Sequence, residues 1–120
     1  MKNEEKDLMP RTNMFARRII RLYVALPKSN TVAQVPGKQL LRSGTSVGAN
    51  YREANRARSK AEFISKIGDC LKEADETLDW LELLSEENVM AATRLQPLVK
   101  EADELVAIFT TISKRARGDE

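Results

Sequence analysis

Apolar residues recur at Ile64, Ile67, Leu71, Ala74, Leu78 and Leu81 in alternating steps of three and four, and this heptad pattern restricts the fold more than any other feature of the chain. Phe63, Cys70, Thr77 and Leu84 flank it and widen the stripe to a three-in-seven face. That width suits a bundle helix with one side against several neighbours. The pattern predicts a helix over about 60–87, which must find partner helices because an isolated amphipathic helix gains too little on its own.

Two further segments supply partners of the same kind. Leu95, Leu98, Ala102, Leu105, Phe109, Ile112 and Ala116 predict a helix over about 92–116, with Pro97 confined to its first turns. Phe15, Ile19, Leu22 and Leu26 predict another over about 13–26, capped by Asn13 and stopped by Pro27. A fourth, over about 36–58, opens at Pro36, where a missing N–H has no intrahelical partner, and places Leu40, Gly44, Val47, Tyr51 and Ala54 on one side. The stretch 28–37 reads as the longest connection. No strand-like alternation competes. At 120 residues, with 42% apolar side chains, the chain holds one core, and the reading is an all-α, antiparallel up-down-up-down four-helix bundle in a single domain, 1–120.

The polar residues narrow the chemistry. With no histidine, the chain lacks the usual general base and the commonest metal ligand. The acids Asp69, Glu73, Asp75, Glu76, Asp79 and Glu82 lack the Glu-x-x-His element of di-metal bundles and read as a solvated face. Cys70, the single cysteine, lies on the flank of the apolar stripe and reads as a buried, inert thiol. Gly44 and Gly48 resemble part of a phosphate loop, but the Lys-Ser/Thr that should follow is missing. Each glycine costs a helix about 1 kcal/mol relative to alanine, which points to close approach of a second helix. The expectation is a protein that is not an enzyme and needs no metal or other cofactor. One unpaired cysteine and no long apolar run suggest a cytoplasmic, non-membrane setting.

Charge is sorted along the chain. Residues 1–60 hold 13 Lys and Arg against 4 Asp and Glu, while residues 61–120 hold 7 against 14, so a net charge of +2 conceals two opposed halves. On the second helix, Lys38, Arg42, Arg52 and Arg56 fall within about 40° of one line opposite the apolar side. Arg17, Arg18 and Arg21 extend this basic stripe to the first helix. Guanidinium groups can grip phosphate with two hydrogen bonds, so the stripe is a candidate phosphate-contacting surface. Pairing with the acidic third helix is the competing account. No aromatic residue interleaves the stripe, which argues against base stacking and for weak sequence preference. Trp80 and Leu83 lie well off the core line and, with Leu84, read as an apolar patch covered by another subunit.

The run Gln39-Leu40-Leu41-Arg42-Ser43-Gly44-Thr45-Ser46-Val47-Gly48-Ala49-Asn50-Tyr51-Arg52-Glu53-Ala54 resembles the signature of bacterial four-helix bundle proteins encoded in intervening sequences of 23S rRNA genes. The resemblance continues through Ala61-Glu62-Phe63-Ile64, Leu71-Lys72-Glu73-Ala74, Glu76-Thr77 and Trp80-Leu81-Glu82-Leu83-Leu84. It implies a homopentamer related to the accessory variability proteins of diversity-generating retroelements, with nucleic acid and a reverse-transcriptase-like protein as partners. Carried over residue by residue, it implies contacts at Lys38, Arg42, Arg52 and Arg56, and then at Arg17, Arg18 and Arg21. The leading expectation is therefore an oligomeric scaffold that binds RNA or DNA. A scaffold that recruits a partner protein is the alternative, and an enzyme using metal-bound carboxylates is the third.

Overall fold

The computed structural model describes residues 2–118, with side chains from residue 7 onward. Four helices follow one another: α1 Lys2–Ala25, α2 Thr31–Asn55, α3 Lys60–Glu86 and α4 Ala92–Arg117. They form an all-α four-helix bundle measuring 46 × 22 × 21 Å. Cross-helix contacts fix the directions. Arg42 meets Glu73 and Glu76 while Glu53 meets Lys66, so α2 and α3 are antiparallel. Gly37, Gly44 and Gly48 face Leu26, Ile19 and Thr12 in turn, so α1 and α2 are antiparallel as well. Phe15, Ile19, Leu40, Val47, Ile67, Leu81, Leu95, Leu105 and Phe109 are virtually inaccessible to solvent and build the core. Tyr51 and Phe109 meet across it with ring centroids 5.9 Å apart. Among the described residues, no helix is long and apolar enough to cross a membrane.

The helix ends follow local chemistry. Ser59 caps α3 by accepting from the Glu62 amide at 3.0 Å, and the Glu62 carboxylate reaches back toward the Arg58 amide at 3.4 Å. At the other end Asn88 adopts φ 55°, its amide donates to the Ser85 carbonyl and the Val89 amide donates to the Leu84 carbonyl, both at 3.1 Å. This pair of bonds is a Schellman closure, with asparagine taking the left-handed position that glycine usually fills.

Two helix starts differ from the sequence expectation. α1 begins at Lys2, and Asn13 lies inside it, not at a cap. Pro10 does not stop this helix, because Leu8 and Thr12 on either side are both buried and continue the inward face of Phe15 and Ile19. α2 begins at Thr31 and not at Pro36, because the Asn30 side chain accepts from the Val32 and Ala33 amides at 2.9 and 3.3 Å. Ala33, fully buried, rewards that extra turn. The connection expected over 28–37 shrinks accordingly to 26–30. α2 also ends earlier than expected, at Asn55.

Candidate nucleic-acid interface

Glycines bring α1 and α2 together and thereby set the spacing of the basic surface. A Cβ on Gly44 would lie 2.8 Å from Ile19 Cγ1 and 2.9 Å from its Cγ2, while one on Gly48 would lie 3.2 Å from Thr12 Oγ1. Thr12 turns its hydroxyl into its own helix, donating to the Leu8 carbonyl at 2.6 Å. The outer seam of this helix pair holds a cleft of about 210 Å³ lined by Met9, Asn13, Ala16, Thr45, Ala49 and Arg52.

The stripe on α2 divides into paired and unpaired cations. Arg42 donates to Glu73 at 3.2 Å and to Glu76, so its guanidinium is held on α3. Its pKa is raised, first by the Glu76 hydrogen bond, and that of Glu76 is lowered, first by Arg42. Trp80 Nε1 also donates to Glu76 at 3.1 Å, which links the indole to the same cluster. Arg42 was expected among the free phosphate contacts. It instead bridges two helices, because Glu73 and Glu76 are one turn apart on the α3 flank that faces it. Lys38, Arg52 and Arg56 are exposed and form no ion pair among the described residues.

On α1, Arg17 and Arg21 are exposed and Arg18 is half-buried, again without ion pairs among the described residues. Arg18 and Arg21 do not join the α2 stripe around the outside of the bundle. They line a groove of about 230 Å³ between α1 and α4 together with Leu22, Pro97, Leu98 and a third arginine, Arg94. Sequence reading missed Arg94 because it is an isolated cation in the acidic half of the chain. Only the α1–α4 register places it beside the other two.

The acidic side lies elsewhere. Lys72, Asp75, Glu76, Asp79 and Glu82 border an open concavity on α3. Among the described residues, no group of three or more His, Cys, Asp or Glu is placed to hold a metal ion. Cys70 is buried and desolvation pushes its pKa up to about 12, so the thiol is not a ready nucleophile.

The apolar patch also divides. Leu84 is 2% exposed and belongs to the chain's own core, in line with Ile67, Cys70, Ala74, Thr77 and Leu81. It therefore offers little to another subunit, contrary to the sequence expectation. Leu83 is 41% exposed, and Trp80 is half-buried against the core. Val32 and Val35, at 62% and 59%, add apolar surface that the sequence reading had placed in a loop. Val32, Pro36, Trp80, Leu83, Glu87 and Val89 line one shallow depression of about 150 Å³, with Leu84 at its margin contributing almost no exposed area.

A family model described as 23S rRNA-intervening sequence protein matches residues 4–111. The chain belongs to this family. Among solved structures, this 23S rRNA-intervening sequence protein is similar to a protein of unknown function from the S23 ribosomal protein family of Bacteroides thetaiotaomicron. The two are 39% identical, with 88% of this chain and 97% of that chain covered and a TM-score of 0.81. No curated protein matches this member of the family.

Proposed function

We propose that this chain is a non-enzymatic helical scaffold that self-associates and binds nucleic acid, RNA in the first place, through phosphate contacts. The observation that carries the reading is the set of cations that form no ion pair among the described residues: Lys38 and Arg52 on α2, Arg56 at its C-cap, and Arg17, Arg18 and Arg21 on α1. Exposed cations that are not spent on internal ion pairs can displace counterions from a polyanion, which is the main source of sequence-independent affinity. Repetition of the surface in an oligomer would multiply that field. Val32, Val35, Trp80 and Leu83 supply apolar surface for self-association.

The test is a fluorescence-anisotropy titration of a structured RNA at several salt concentrations. Affinity should fall steeply as salt rises, and Arg52→Glu with Arg56→Glu should abolish binding, whereas Arg42→Gln should change it little. Binding that is absent, insensitive to salt, or unaffected by the double reversal would refute the reading. A protein-recruiting scaffold is the second reading, favoured by the same exposed apolar depression. A nuclease-resistant, stoichiometric protein partner lost on Leu83→Asp, together with no RNA binding, would select it.

A further inference from the structure

We propose that the groove between α1 and α4, lined by Arg18, Arg21 and Arg94, is a discrete phosphodiester-binding site for RNA. This rests on the nucleic-acid reading above and gives it a location separate from the α2 stripe.

The contrast within one helix pair is the starting point. Arg11 reaches across from α1 to α4 and is met by Glu101 at 2.7 and 2.8 Å and by Glu104 at 2.8 Å. The bidentate fork raises the Arg11 pKa, with the Glu101 hydrogen bond the largest cause. Seven residues further along α1, which is two helical turns, stands Arg18. Seven residues back along antiparallel α4 from Glu101 stands Arg94. Carboxylates thus answer an arginine at one level of the interface, and a second cation stands in their place at the other.

Three guanidinium groups consequently line one groove of about 230 Å³ with no acidic residue in its wall. None forms an ion pair among the described residues. Like charges at such a site repel one another, and the fold gains nothing from collecting them there. An anion between them would relieve the repulsion and take several charge-assisted hydrogen bonds at once. The remaining wall is apolar: Leu22 and Leu98 are nearly buried and Pro97 is exposed. A sugar–phosphate unit matches that mixture, since the phosphate meets the guanidiniums while the ribose lies on the apolar wall. With the guanidiniums engaged on phosphate and no other polar side chain in the wall to read a base edge, contact should depend little on sequence.

The experiment uses the full chain and a fluorescein-labelled 20-nucleotide RNA hairpin, titrated between 50 and 200 mM salt. Arg94→Gln should weaken binding roughly tenfold and lower the slope of log affinity against log salt by about one, as expected for one lost phosphate contact. Arg94→Lys should keep most of the slope. Circular dichroism should show both variants as helical as the parent, since Arg94 is exposed and forms no ion pair among the described residues. If Arg94→Gln and the pair Arg18→Gln, Arg21→Gln bind like the parent while Arg52→Glu with Arg56→Glu does not, the groove proposal falls and the wider reading stands. If the unaltered chain binds no RNA, the wider reading falls and takes the groove with it. Binding of inorganic pyrophosphate that depends on Arg94, with RNA affinity untouched by the same variant, would overturn the assignment to RNA.

Discussion

Placing a methyl group on each of three helical glycines should give three different answers, ordered by what lies opposite. At Gly68 a Cβ would meet nothing within 4 Å, so Gly68→Ala should simply recover helix propensity, stabilising by about 0.5–1 kcal/mol. At Gly44 the same gain is opposed by Ile19, whose Cγ1 and Cγ2 would lie 2.8 and 2.9 Å from the new carbon. Ile19 is fully buried and β-branched, so it cannot swing aside, and overpacking of this kind costs about 1–3 kcal/mol. The net loss for Gly44→Ala should be about 1–2 kcal/mol, with Gly48→Ala near neutral because Thr12 approaches only to 3.2 Å. For a chain of this size the Gly68 and Gly44 variants should differ in Tm by roughly 6–12 °C, measured by thermal circular dichroism at one protein concentration. A double-mutant cycle sharpens the test: in an Ile19→Ala background the two Cγ atoms are gone and only the Cβ, at 3.2 Å, remains opposite, so Gly44→Ala should become near neutral, as at Gly48. A Gly44→Ala variant as stable as Gly68→Ala would refute the close approach of α1 and α2.

Asn88 holds a left-handed backbone in the turn after α3, so Asn88→Gly should be neutral to slightly stabilising while Asn88→Ala should cost about 1–2 kcal/mol in urea unfolding. Cys70 should resist a thiol reagent such as 5,5′-dithiobis(2-nitrobenzoate) in the native chain at pH 8 and react fully in denaturant. Because burial raises its folded pKa to about 12, the stability it contributes is complete below the unfolded value and should decline as pH rises through 9–12. Glu76 behaves oppositely: its folded pKa is lowered by Arg42, so its small contribution is present above about pH 4.5 and lost as pH falls through the lowered value. Because the Arg42–Glu76 pair is at the surface, Arg42→Gln should cost less than about 1 kcal/mol and should flatten this acid limb.

The apolar spacing alone revealed the bundle, and the reason is that core packing dominates helix placement. Leu95, Leu105 and Phe109 on α4 and Ile67, Ala74 and Leu81 on α3 are fully buried as expected, but Ile64, Leu71 and Leu78 are only half-buried, and Cys70, Thr77 and Leu84, expected as flanks, complete the buried line of α3 because the neighbouring helices pack on that side. Helix starts were less legible, because two different local signals competed. Asn13 carries cap chemistry but sits beside Thr12, whose burial was not apparent from a polar residue type. Pro36 resembles a first-turn proline, yet Asn30 caps the helix six residues earlier and the later proline is tolerated. The candidate site was legible by residue type and not by pairing. Arg42 and Arg52 lie on α2 and Arg56 sits at its C-cap, just past the helical line expected for it, and nothing in their spacing distinguishes the one that Glu73 and Glu76 capture from the two they do not. That distinction belongs to the register between α2 and α3.

The same register argument explains why the sorted charge of the sequence does not simply become a basic half and an acidic half in space. The bundle interleaves its halves, with basic α2 against acidic α3 and basic α1 against α4, so opposite charges meet along both seams. Where acid and base coincide in height, as at Arg42 with Glu76 or Arg11 with Glu101, the charge is consumed inside the fold. Where the heights differ, cations are left over, at Lys38, Arg52 and Arg56 on one side and at Arg18, Arg21 and Arg94 in the α1–α4 groove. The residual field is thus a difference between two registers, and shifting a carboxylate is a sharper probe of it than removing an arginine. Pro97 faces the three-arginine groove and sits one turn before Glu101, so Pro97→Glu should supply the missing counterion without removing a cation. If the groove contributes to RNA affinity, that change should lower the salt slope as Arg94→Gln does, and it should raise Tm slightly, since relief of repulsion and loss of a helical proline act in the same direction. An unchanged salt slope with the raised Tm would show that the three arginines strain the bundle without serving a ligand.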